Sequence, residues 1–217
     1  MDTILVTGFD PFGGDSRNPA GEALALLPAE VAGTRIATVM LPTAIGSSFD
    51  RLLEALELHR PVAVLSVGQA GGRPGITVER VAINLVDARI PDNEGRQPVD
   101  LPAVPGGPAA YFSTLPVKAM AARIRAAGIP ATVSNSAGTF VCNYVMYRAL
   151  HHAATSGAGF ASGFIHVPPM PAQAAGSADP TPTMSLESVR AALVAALEAI
   201  ALGEDGGEGG RSWGALS

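Results

Sequence analysis

TRIATVMLPTAIGSSFDRLLEALELHRPVAVLSVGQ, residues 34–69, is the stretch whose reading decides the fold. TRIATVML (34–41) is rich in β-branched and apolar residues and reads as a strand. SSFDRLLEALEL (47–58) has the amphipathic spacing of a helix, with Ser47 or Ser48 available as its cap. PVAVLSVGQ (61–69) is a continuous apolar strand that runs into the glycine-rich GQAGG. A helix between two strands is the crossover that parallel pairing needs.

The same alternation extends both ways. TILVT (3–7) reads as a short buried strand ending in the turn-rich GFDPFGG, and AGEALALL (20–27) as a helix with Asn18 and Pro19 as start signals. ITVERVAINL (76–85), ATVSNS (131–136) and ASGFIHVP (161–168) read as further strands. LPVKAMAARIRAAG (115–128) is a helix closed by Gly128. Residues 185–202 form a last helix, opened by Ser185 and Ser188 with Glu187 one position early for a full capping box. The expected fold class is α/β, a three-layer α/β/α sandwich around a twisted, mainly parallel sheet, in one domain over residues 1–202. Residues 86–110 and 168–184 resist assignment and read as long functional or mobile loops. The glycine-rich 203–217 reads as a disordered tail.

Composition narrows the function classes. A net charge of −5 with no basic run argues against a nucleic-acid surface. No apolar run reaches the length of a membrane span. The N-terminal MDTILVTGF lacks a positive segment ahead of its apolar stretch, and the chain holds one cysteine. Both features point to a reducing, cytoplasmic setting.

That cysteine, Cys142, lies in SNSAGTFVCNYVMYRAL (134–150), where a strand end and a small-residue turn lead into a buried helix. A thiol in a first helical turn is near unpaired N–H groups and the positive end of the dipole, which favours the thiolate. The competing reading is an inert core cysteine. In a parallel α/β sheet, sites form beyond the carboxyl ends of the strands. GFDPF, GQAGG, Cys142 and His166 all follow or close such strands. His59, His151 and His152 lie at helix ends and read as surface caps, whereas His166 is enclosed in FIHVP. Glu79 alternates onto the face of Val81, Ile83 and Leu85, so a partner is required. Arg89, Arg73 or an imidazole could serve. The glycine clusters lack the spacing of a nucleotide loop, and no His, Cys or Asp pair has metal-ligand spacing.

TGFDPFGG with NPA, GGRPGITVERVAINLVDARIPDNEG (71–95), SNSAGTFVCNYVMY and GFIHVPPMPAQ (163–173) together resemble the signature blocks of the pyroglutamyl-peptidase I, or pyrrolidone-carboxylate peptidase, family. The blocks run in family order. The resemblance implies a cytosolic cysteine peptidase that removes N-terminal pyroglutamyl residues from peptides, without cofactor or metal, as a homodimer or homotetramer. It implies Cys142 as nucleophile, His166 as general base and acid, and Glu79 as the group that orients His166. It puts Gln69 and Arg89 on the oxyanion and lactam side, Phe12 and Phe140 as aromatic walls, and Phe9 and Asn18 at neighbouring pocket positions. Three departures affect the pocket rim: Gly21 near a common tryptophan position, Pro169 for a bulkier residue, and Tyr144 where histidine is common. A thiol amidohydrolase acting on another small acyl amide would keep the same three residues. A binding protein with an inactive site on this fold is the remaining alternative.

Overall fold

A computed structural model describes residues 1–175 and 181–204. In chain order the elements are β1 (Thr3–Phe9), α1 (Pro19–Leu24), β2 (Glu30–Val31), β3 (Thr34–Leu41), α2 (Ser47–His59), β4 (Ala63–Gln69), β5 (Ile76–Glu79), β6 (Val81–Ile83), β7 (Ala110–Phe112), α3 (Val117–Ala126), β8 (Ala131–Ser134), α4 (Val141–Thr155), β9 (Ala161–Val167), α5 (Pro171–Ala174) and α6 (Leu186–Ala201).

Seven strands form the central sheet in the order β2-β3-β1-β4-β9-β5-β8, while β6 and β7 pair separately. Strands β3, β1, β4 and β9 are parallel, with Ile4 opposite both Ile36 and Ala63, and Ala63 opposite Ala161. β2 is antiparallel to β3. β5 is antiparallel to β9, and β8 follows β5 in parallel. The sheet is therefore mainly parallel, with antiparallel pairings at the β2 edge and between β9 and β5.

Alternation along the strands makes two cores. Ile4, Val6, Leu65, Val67 and Ile165 pack with α1, α3 and α6 on one face. Leu5, Val39, Leu41, Val64 and Phe164 pack with α2 and α4 on the other. Because both faces are covered, these strands read as unbroken apolar runs. Each fully buried side chain of this kind contributes about 1.5–3 kcal/mol. These two clusters, not a cross-link, hold the three layers together, since a lone cysteine can form no internal disulfide. Toward one end the α2/α4 face turns polar: Leu5 is followed on that face by Thr7, Val64 by Ser66 and Gly68, and Phe164 by His166. Thr7 donates to Ser66 at 2.9 Å.

The structure differs from the sequence reading in several places. Residues 76–85 are not one strand. The chain breaks at Arg80, leaving β5 in the main sheet and β6 in the small one. Glu79 thus takes its direction from the register with β9, where it lies opposite Phe164, and shares no strand with Val81 or Ile83. β8 ends at Ser134 and runs against β9, so the carboxyl-end rule accounts for Gln69 and His166 but not for Cys142. The turn after β8 brings the thiol back. The short elements β2, β7 and α5 left no periodicity to read. The 86–110 segment is pinned by buried polar groups: Asp92 accepts from the N–H groups of Ile45, Glu94 and Arg96 at 2.8, 2.9 and 2.8 Å. Asn93 donates to Asp10 and to the Pro11 carbonyl.

Gly21 has no room for a side chain: a Cβ there would lie 2.6 Å from the Phe9 carbonyl oxygen, and Met40 occupies the adjoining space. Ser185 does cap α6, accepting from Ser188 N–H at 3.1 Å. Order continues beyond that helix, because Glu204 pairs with Arg123. The remainder of the expected tail, 205–217, and residues 176–180 of the 168–184 loop lie outside the described residues.

Asn143 fastens α4 to the small sheet. It has no exposed surface, accepts from Ile83 N–H, and donates to the Ile83 and Leu85 carbonyls, each at 2.9 Å. Asn143→Ala strands those backbone groups in the interior. It is expected to destabilise the protein by about 3 kcal/mol, read from urea unfolding. A loss below about 1 kcal/mol would mean that water satisfies them.

Candidate active site

Phe140 is the N-cap of α4 with extended backbone, and no side chain caps the helix. Its first-turn N–H groups therefore remain available. Cys142 sits in that turn. Its thiol lies against Gly68 near the end of β4, where a Cβ would be 2.8 Å from both Sγ and the Phe164 ring. Any larger residue at 68 would displace the sulfur. Gly68 is also the register partner of His166 in β9. Registered neighbours point to the same face, so the imidazole shares the thiol's face one strand away.

His166 is joined to Glu79. Nδ1 is 2.8 Å from Oε1, and neither residue reaches solvent appreciably, at 4% and 0% exposure. With Nδ1–H donated to the carboxylate, Nε2 is the free nitrogen. Thr77, the antiparallel register partner of His166, donates to the same Oε1 at 3.2 Å. Arg73 Nη1 reaches both Glu79 Oε1 and Thr77 Oγ1, and Nη2 donates to the Ser136 carbonyl at 3.2 Å. Of the partners the sequence left open, Arg73 and His166 share the carboxylate. Arg89 does not: it is exposed, and its guanidinium has no partner among the described residues.

Burial sets the protonation states. It pushes the Cys142 thiol up to about 12, helped by the Glu79 charge, while Arg73 and the residue's own N–H act the other way. This reverses the expectation of a thiolate favoured by the helix start. Burial, with Arg73 adding to it, lowers His166 against the hydrogen bond and charge of Glu79, which raise it. For Glu79 burial would raise the carboxyl, but the His166 hydrogen bond and charge, the Ser134 hydroxyl and Arg73 together hold it below its usual range. These directions favour a neutral thiol and a neutral imidazole beside an ionised carboxylate. Such a set can move one proton from sulfur to Nε2 as the sulfur attacks.

The remaining sequence candidates divide. Phe12 and Phe140 are half-buried and meet with ring centroids 6.5 Å apart at 47°. Phe140 is two residues from the thiol. Phe9 is a core residue against Phe164, with centroids at 6.2 Å. Asn18 spends its side chain on structure, accepting from Ala20 N–H and donating to the Asp10 carbonyl, both at 3.0 Å. Gln69 ends β4, and its Oε1 accepts from Gln173 of α5 at 3.1 Å. Sequence reasoning passed over Gly68 and Asn143. A glycine inside an apolar strand marks close approach of another group, and an amide inside a buried helix marks a backbone it must satisfy.

A sequence profile described as pyroglutamyl peptidase matches residues 2–202. The chain belongs to the pyroglutamyl peptidase family. It is 52% identical over 200 residues to a pyrrolidone-carboxylate peptidase of Treponema denticola, covering 91% of this chain and 92% of that one. It is 54% identical over 198 residues to a pyrrolidone-carboxylate peptidase of Escherichia fergusonii, covering 91% and 92%. The crystal structure of Bacillus amyloliquefaciens pyroglutamyl peptidase I superposes with a TM-score of 0.90 at 44% identity, covering 94% of this chain and 99% of that chain. Membership makes the chain a hydrolase and agrees with the observed sheet and layers. Among the described residues no helix is long and apolar enough to cross a membrane.

The buried pair gives stability a defined acid dependence. A lowered His166 makes the unfolded chain bind protons more readily, so stability is complete above the ordinary histidine value of 6.5 and falls below it. The lowered Glu79 adds a second loss below 4.5. Urea unfolding from pH 8 to 4 is expected to show stability declining from about pH 6.5, and His166→Gln should lack that first decline. The same slope in both proteins would contradict the neutral buried imidazole.

Proposed function

We propose that this chain is a cysteine exopeptidase that removes N-terminal pyroglutamyl residues from peptides, with Cys142, His166 and Glu79 as its catalytic set. One observation carries the reading: the sole thiol packs on Gly68, the register partner of His166, whose ring is bonded to a fully buried carboxylate. Family membership supplies the substrate class.

In this mechanism Sγ attacks the pyroglutamyl carbonyl carbon as Nε2 takes the thiol proton. The imidazolium that forms is held by Glu79. The oxyanion is met by the uncapped N–H groups at the start of α4. Collapse breaks the C–N bond, His166 returns its proton to the leaving amine, and a thioester on Cys142 remains. Water then gives a proton to His166 and attacks the thioester carbon. Collapse releases pyroglutamate, and the proton returns to sulfur. Starting from a neutral pair suits a substrate with no charge on its ring. The half-buried Phe12 and Phe140 offer flat apolar surface to that ring, and Gln69 offers an amide at the strand end. The family resemblance also supports a cytosolic homo-oligomer and a single domain that needs neither cofactor nor metal.

The nucleophile is tested by stoichiometry. One equivalent of iodoacetamide should label one site and abolish hydrolysis of a pyroglutamyl arylamide. Cys142→Ser should fold as the parent does and turn over very little, because an alkoxide is far harder to form. Full activity after complete labelling would rule the mechanism out.

Specificity is tested at the aromatic wall. Phe140→Ala should lower kcat/KM on pyroglutamyl arylamide by the equivalent of about 2–4 kcal/mol, while Cys142 still reacts with iodoacetamide. Prolyl arylamides lack the ring carbonyl and should be poor substrates of the parent. Comparable kcat/KM on prolyl and pyroglutamyl arylamides would point to another acyl amide as substrate.

A further inference from the structure

Orientation of the imidazole requires one bond from His166 to Glu79. It does not require the guanidinium that occupies the same oxygen. Arg73 stands in the GQAGGR turn between β4 and β5 and contacts two other segments. Nη1 reaches Glu79 Oε1 and Thr77 Oγ1 on β5, and Nη2 holds the Ser136 carbonyl in the turn that delivers Cys142. The arginine side chain keeps 27% of its surface exposed, while the carboxylate has none. The cation therefore sits at the rim, between solvent and the buried end of the catalytic set.

We infer that Arg73 is a positioning residue that balances the Glu79 charge and ties the turn before Cys142 to that carboxylate, so that thiol and imidazole stay neutral together until attack. The inference rests on the Cys142–His166–Glu79 reading above. Glu79, on β5, raises the proton affinity of both the imidazole on β9 and the thiol on α4, and Arg73 opposes it at both. Glu79, His166, Cys142 and Arg73 are the charged or titratable groups acting on this cluster. Removing the guanidinium leaves the carboxylate uncompensated. His166 then holds a proton to higher pH, where it cannot accept one from sulfur, and the thiol becomes harder to ionise.

The test is the pH profile of kcat/KM on a pyroglutamyl arylamide for the parent, Arg73→Gln, Arg73→Lys and Glu79→Gln. In Arg73→Gln the acid limb should move up by about one pH unit, with about a tenfold loss of kcat/KM below it. KM should change little, and alkylation of Cys142 at a fixed pH should slow. Arg73→Lys should bring the limb back. If Arg73→Gln melts earlier while its acid limb and alkylation rate stay put, the arginine is a structural tie and the inference falls. Failure of the underlying reading looks different, because Glu79→Gln would then keep its kcat whatever Arg73 does. Should Arg73→Gln not fold, the charge can be removed afterwards. Acetylating folded Arg73→Lys, with Cys142 reversibly blocked, should move the limb upward, whereas acetylated parent protein, whose sole lysine is Lys118, should keep its own. An unmoved limb in acetylated Arg73→Lys also overturns the inference.

Discussion

A carboxylate with no exposed surface governs this molecule. An unpaired buried charge costs several kcal/mol, so Glu79 requires donors, and each donor comes from a different part of the chain. His166 arrives on β9, Thr77 from two residues earlier on β5, and Arg73 from the turn between β4 and β5. To satisfy them together, β5 must run against β9 with Thr77 opposite His166. That antiparallel pairing brings Thr77, Glu79 and His166 together. Beyond Glu79 the chain breaks at Arg80 and leaves the main sheet for β6.

The Cys142 thiol is positioned by absence as much as by contact. Gly68 offers a bare patch of backbone on the polar end of the α2/α4 face, and the sulfur fills it. Above it, Asn143 fixes the first turn of α4 by bonding to the backbone at Ile83 and Leu85. The thiol therefore has little freedom relative to β4, and through the register of β4 with β9, little freedom relative to His166.

Two electrostatic effects compete at Cys142. A helix start favours a negative charge by about 0.3–1 kcal/mol, which is less than one pH unit. Burial, with Glu79 close by, moves the thiol from 9.0 to about 12, a larger effect in the opposite direction. In the proposed mechanism the proton therefore moves as the sulfur attacks, with no standing thiolate.

Alternation of apolar strands and amphipathic helices specified the layers, because a parallel sheet covered on both faces can only be written in that way. The oddities of Cys142, His166 and Glu79 were also legible as residue types out of keeping with their surroundings: one thiol, one enclosed imidazole, one acid among apolar neighbours. The resemblance in the blocks around them supplied the chemistry. What sequence could not decide was direction and register. Residues 76–85 alternate as one strand would, and nothing local reveals that Arg80 ends it, because the competing register is set by pairing with β9, 87 residues away between Glu79 and His166. The same holds for Asn18 and Phe9, which the family resemblance put at neighbouring pocket positions. Only packing shows that one is consumed by the cap of α1 and the other by the core. Local patterning reports what each segment can bury. Which segment it is buried against depends on long-range partners, and in this chain those partners gather on one carboxylate.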